Sequence, residues 1–246
     1  MSNKHVNNDS SAFTCLRLVQ DGTTYRRDVL YLESIHDSIN VDDLAIRMKQ
    51  LFYDFEADYA VVDTMGNGIG VFDAMTRILY DEERNVEYPS WSANNYSSDA
   101  EAMNERSRSS GVPVIVSYKA SAKFNHDCAI ALTTSLQNRK IRLPISDIEQ
   151  REYLVDRGQF LAMRISEQQR QLHTYQQASV LSNELISLEY EVPSGFIRIK
   201  EVGNTTKDRY SSLSYGNYFA NILERELIET DSDNLYEDMF FISSYT

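Results

Sequence analysis

Two aspartates in this 246-residue chain sit where a carboxylate has chemical use. Asp63 closes the apolar run Tyr59-Ala60-Val61-Val62, and the glycine-rich stretch Gly66-Asn67-Gly68-Ile69-Gly70 follows almost at once. A short apolar run of this kind reads as a strand buried on both faces, and the carboxyl ends of such strands in open α/β sheets are where ligands bind. A carboxylate there is costly to bury unless it is hydrogen-bonded or faces a cation. Asp208, in Lys207-Asp208-Arg209-Tyr210, follows a second β-rich segment and opens the last helical pattern. Each acid also has a plain structural job available, Asp63 as the cap of the loop behind it and Asp208 as a helix N-cap.

Other chemistries find little support. Cys15 and Cys128 are the only cysteines, and neither has the spacing of a zinc or disulfide framework. His5, His36, His126 and His173 are scattered, which disfavours a histidine-built metal centre. The stretch Gly66–Gly70 departs from the dinucleotide fingerprint GxGxxG, and no Gly-Lys pair exists to form a phosphate-binding loop, so hydrolysis of ATP by that route is not expected.

The elements that must position the two acids can be read from period and punctuation. Residues 12–20 and 26–35 form β-rich runs joined by Asp21-Gly22, an antiparallel hairpin. A helix follows with Asn40 as its cap, Asp42 and Asp43 at its positive end, and Leu44, Met48, Leu51, Phe52 and Phe55 on one face. Strand 59–63 leads through the glycines into a helix over about 70–80. Residues 90–111, rich in Ser, Asn and charge, read as an exposed loop or insertion. A strand over 112–119, a helix marked by Phe124, Cys128, Ala131 and Leu132, the short segment KIRLP, and a mostly helical stretch over 146–190 come next, with Leu172, Tyr175, Leu181, Leu185 and Leu188 as core candidates. A strand over 195–202 and a terminal helix lined by Leu213, Gly216, Ala220, Leu223 and Leu227 complete the order. A hairpin followed by strand–helix units implies a mixed sheet flanked by helices.

Size and composition suit one domain over 1–246 with a polar opening segment at 1–11. The net charge of −13 excludes a surface that grips DNA everywhere, so nucleic-acid contact must be local. Lys119 with Lys123, then Arg139, Lys140 and Arg142, then Arg198, Lys200, Lys207 and Arg209 are the clusters available, each equally readable as solvated surface. No stretch approaches the roughly 20 apolar residues of a membrane span, and no signal-peptide run opens the chain, so a soluble intracellular protein is expected.

Taken together, VVDTMGNGIGVFDAM and KDRYSSLSYGNY, supported by NNDSSAFTCLRL, DEERNVEYPSW, IVSYKASAKFN and KIRLP, resemble the C-terminal nuclease half of phage terminase large subunits. The resemblance spans nearly the whole chain. It implies a ribonuclease-H-like α/β fold and a module that cuts concatemeric viral DNA by two-metal hydrolysis of phosphodiester bonds, at ions held by acidic residues, in the cytoplasm of the bacterial host. By position it carries the catalytic, metal-holding acids onto Asp63 and Asp208, with Mg²⁺ or Mn²⁺ as cofactor, the hard cations that take oxygen ligands. Lys207 and Arg209 become phosphate contacts or solvated neighbours of the terminal helix. Expected partners are double-stranded viral DNA and the packaging machinery: portal, small terminase subunit, or a complementing ATPase or N-terminal polypeptide.

One departure stands out. Similar proteins carry their first acidic ligand on an apolar strand just before the hairpin, whereas only SNKHVNN precedes Asp9 here. An N-terminally truncated nuclease fold is therefore expected, with Asp9 a poor substitute in polar surroundings and cleavage weak or absent. A non-catalytic module that binds DNA or the packaging motor is the alternative, and a nucleotide-binding enzyme using Gly66–Gly70 a more distant one.

Overall fold

The computed structural model describes residues 11–35, 40–203, 206–230 and 239–245. The polar opening segment, Asp9, His5 and His36 lie outside the described residues. The chain opens with β1 (Ser11–Asp21) and β2 (Thr24–Ile35), turned at Gly22, whose φ of +65° is a conformation glycine adopts without penalty. Helix α1 (Val41–Asp54) starts as expected: the Asn40 side chain accepts the Asp43 N–H at 2.9 Å. Then come β3 (Tyr59–Asp63), α2 (Gly68–Met75), a small hairpin of β4 (Leu79–Asp81) and β5 (Val86–Tyr88), β6 (Trp91–Ala93), α3 (Ala100–Ser107), β7 (Val112–Tyr118) and α4 (Ala122–Gln137). After the two-residue β8 (Ile141–Arg142), α5 (Asp147–Asp156) and α6 (Ile165–Ser187) form a helical arm. A second small hairpin of β9 (Glu189–Glu191) and β10 (Arg198–Lys200) leads to α7 (Asp208–Thr230) and β11 (Met239–Tyr245).

The fold is α/β, with a mixed, mostly parallel sheet in the order β6-β7-β3-β11-β1-β2-β8 flanked by helices. β6, β7, β3 and β11 run parallel, β1 pairs antiparallel with both β11 and β2, and β8 lies parallel to β2. One core, built from Phe13, Cys15, Ala60 and Val62, packs under α1 and α2; the other, built from Leu16, Leu18, Val61 and Val116, packs under α4, α6 and α7. β11 takes the place between β1 and β3, with Ser244 opposite both Phe13 and Val62.

β11 buries hydroxyls in the middle of a sheet. Ser243 and Ser244 are almost fully buried, which is costly unless their polar atoms are bonded. Ser243 donates to the Ser212 carbonyl at 2.7 Å, while Ser212 donates to the Ser243 carbonyl and to Thr14 Oγ1, both at 2.9 Å. Gly216 makes this close approach of α7 feasible: a Cβ there would lie 2.7 Å from Leu16 Cδ1 and 2.9 Å from Ser243 Cβ. Gly216→Ala is accordingly expected to lose about 1–3 kcal/mol to overpacking despite alanine's better helix propensity, measured by urea unfolding.

Three expectations need correction. Residues 90–111 are not an exposed loop but carry β6 and α3, with Trp91 fully buried 4.7 Å from Phe52 and Met103 in the same core. Their polar composition hides two apolar anchors. The strand expected over 195–202 shrinks to β10, which pairs with β9 outside the central sheet. The helix expected over 70–80 is shorter and begins earlier, so Gly68 and Gly70 lie within α2, where Gly70 sits against Val41.

Candidate functional site

Asp63 is held by the ends of two parallel strands. Beyond it, Thr64 extends the pairing, its N–H and its hydroxyl both donating to the Tyr118 carbonyl at 2.8 and 3.1 Å. The chain then turns at Gly66, whose φ is +56°. The Met65 N–H donates to Asp63 Oδ1 at 2.9 Å, and the Ala120 amide behind β7 also bonds the carboxylate. Burial pushes the Asp63 carboxyl up to about 6, against the lowering effect of those two amides. Among the described residues no cationic side chain opposes the burial of this acid.

Asp208 is the first residue of α7 and is buried. Its surroundings are gripped from α6. Arg209 Nη1 donates to Glu184 Oε1 at 2.6 Å and Arg209 Nε to Gln177 Oε1 at 2.6 Å; the Tyr210 N–H donates to Glu184 Oε2 at 3.1 Å, and the Thr206 hydroxyl to Glu184 Oε1 at 3.4 Å. Burial raises the Glu184 pKa, the Arg209 guanidinium opposes that, and the Asp208 charge adds to it, so Asp208 and Glu184 lie within electrostatic reach.

The structure places Asp63 at the carboxyl end of β3 and Asp208 at the first residue of α7, the helix packed against the same core as Val61. Asp63 is registered with Tyr118, whose ring meets Tyr218 of α7, and Val61, two residues earlier, packs under α7 as well. Tyr59, at the start of β3, touches Phe219 with ring centroids 5.2 Å apart, while Ser243, registered with Val61, bonds Ser212 nearer the start of the helix. β3 therefore runs toward the N-terminus of α7. Asp63 lies about 7 Å along the strand beyond Val61, and Asp208 about 6 Å along the helix before Ser212.

The basic clusters singled out in the sequence are largely neutralised. Lys119 pairs with Asp99 at 2.8 Å, Lys123 with Asp127 at 2.5 Å, Lys140 with Glu224 at 2.7 Å, and Lys200 and Arg198 both with Glu191 at 2.5 and 3.7 Å. Arg209 is turned inward onto Glu184 and Gln177, so its guanidinium is committed within the fold rather than offered to a phosphate. Lys207 is half-buried, and among the described residues no partner for its ammonium is found. Sequence reasoning missed Glu184 and Gln177, whose polar types on a long amphipathic helix carry no signal that they point inward.

Two carboxylates are a donor set that a hard divalent cation accepts, since Mg²⁺ is commonly held by one or two carboxylates with substrate phosphates completing its shell. Among the described residues no group of three or more His, Cys, Asp or Glu side chains that could hold a metal is found. Among the described residues no helix is long and apolar enough to cross a membrane. No family model, curated protein or solved structure matches this chain.

Proposed function

We propose that the chain is the metal-dependent endonuclease module of a viral DNA-packaging terminase, with a ribonuclease-H-like fold, and that it cuts double-stranded DNA weakly or not at all alone. The observation that carries this reading is a buried Asp63 closing β3, with a buried Asp208 opening α7, the helix that packs against the same core as Val61 of that strand. The strand order supports it: an antiparallel hairpin, β2-β1, lies on one side of a central strand, and parallel strands β3 and β7 on the other. In the resembled family that central strand brings the first acidic ligand. Here β11 stands in that position, and its residues Met239–Tyr245 include no carboxylate.

In this reading Asp63 and Asp208 hold Mg²⁺ or Mn²⁺, which when bound supplies a Lewis acid to polarise a phosphodiester and lower the pKa of water. Asp63 is kept in place by the Met65 and Ala120 amides. Lys207, beside Asp208, steadies a phosphate. Portal, small terminase subunit or a complementing polypeptide are the partners this function implies.

Isothermal titration with Mn²⁺ tests the site: a binding heat in the wild type that disappears in both Asp63→Ala and Asp208→Ala is expected, with little cutting of linear or supercoiled DNA in Mn²⁺. Heat unchanged in both variants would instead favour a non-catalytic docking module, a reading that the loop bond from Met65 to Asp63 also suits.

A further inference from the structure

Three backbone and side-chain groups around Asp208 converge on one carboxylate. Glu184 accepts from the Thr206 hydroxyl on one side of Asp208 and from the Arg209 guanidinium and Tyr210 N–H on the other. The side chains of Glu184 and Arg209 are 3% and 6% exposed. Gln177, two turns earlier on α6, fixes the guanidinium a second time through Nε, so the planar fork of Arg209 cannot rotate without breaking one of its bonds.

A buried ion pair is a poor way to gain stability, because desolvating two charges often costs as much as their attraction returns; apolar residues of similar volume do as well or better. What such a pair does supply is direction. Groups that bond the neighbours of a metal ligand set its orientation, and their loss weakens metal affinity while the ligand itself remains. We infer that Glu184 is the positioning residue for Asp208: through Arg209, Tyr210 and Thr206 it locks the first turn of α7 to α6 and so fixes where Asp208 sits. This rests on the metal reading above. It also gives the helical arm a role, since α6 reaches back over the sheet to supply both Glu184 and Gln177.

The test replaces the pair as a unit, Glu184→Leu with Arg209→Met, so that no lone charge is left buried. Two readouts are taken on the full chain: Mn²⁺ affinity by electron paramagnetic resonance, and backbone amide exchange over residues 206–210. With the thermal midpoint retained, Mn²⁺ affinity should fall about tenfold or more, and exchange over 206–210 should accelerate while residues 213–227 stay protected. Gln177→Leu, which frees one side of the fork without unpairing a charge, should weaken Mn²⁺ a few-fold and decides the matter should the double variant fail to fold. Unchanged Mn²⁺ affinity and unchanged exchange in a folded variant would overturn the inference and leave the metal site standing. Absence of Mn²⁺ binding in the wild type would instead overturn the metal reading, and the exchange data would still show whether Glu184 holds this turn.

Discussion

Glu224→Ala should cost about 3–5 kcal/mol of folding stability, a large share of the about 5–15 kcal/mol that a domain of this kind has. The reason is Arg27, whose side chain is fully buried in β2. Its Nη2 donates to Glu224 Oε2 at 2.6 Å and to Asn221 Oδ1 at 2.5 Å, and its Nη1 to the Tyr25 carbonyl at 2.7 Å. The other oxygen of Glu224 accepts from Lys140 Nζ at 2.7 Å and from the Tyr25 N–H at 3.1 Å. One carboxylate thus ties α7 to β2 and to the chain just before β8. Removing it strands a guanidinium in the interior, whereas Arg27→Met with Glu224→Leu removes both charges and should recover most of the loss. Burial pushes the Glu224 pKa up, but Lys140, Arg27 and the Tyr25 amide overcome it and hold the carboxyl below its usual range. That contribution is present above the unfolded-state value and is lost as pH falls, so the apolar double variant should also be less sensitive to acid. Guanidinium unfolding of the three proteins at neutral and acidic pH checks all of this.

Asp63→Asn should have the opposite sign. Folding raises this carboxyl from 3.8 to about 6, chiefly through burial. The native state therefore binds the proton more tightly than the unfolded chain does, so the stabilisation from protonated Asp63 is complete below about pH 4 and is lost as pH rises through about 6. Above that window the wild type holds a buried charge at a cost of about 1–3 kcal/mol. Asparagine keeps the acceptor for the Met65 and Ala120 amides without the charge, and should be more stable than wild type by that amount at pH 8 and about equal to it near pH 4. Unfolding curves at the two pH values decide it: equal stabilities at both would mean that Asp63 is better solvated than its position indicates. Under the metal reading proposed above Asp63 is the acid that must be ionised, so the stability it would forgo is the expected cost of that role.

Much of the framework was legible without coordinates because its signals are local. Alternation and Asp21-Gly22 mark the β1–β2 hairpin. The cap at Asn40 and the face Leu44-Met48-Leu51-Phe52 mark α1. The run Tyr59–Asp63 marks a strand buried on both sides, and the small residues of α7 mark a helix lying close to the sheet. Asp63 was legible as a candidate for the same reason: an acid closing an apolar run conflicts with the burial that the run predicts.

What local signals could not carry is pairing at a distance. Trp91 and Met103 sit among serines, asparagines and charges, and only their packing against Phe52 and its neighbours turns 90–111 from loop into β6 and α3. The lysines and arginines that resemble a nucleic-acid surface in one dimension meet their acids in three, as Lys140 meets Glu224 and Arg209 meets Glu184.

β11 shows the division most clearly. The sequence by itself determined that a hairpin, buried strands and a closely packed last helix would form, since each follows from period, punctuation and side-chain volume within a few residues. Only the tertiary structure decided that Met239–Tyr245 lies at the centre of the sheet, between strands that begin at Ser11 and Tyr59. Two adjacent serines are weak candidates for a buried strand until Ser212 and Thr14, remote in the chain, give their hydrogen bonds a destination.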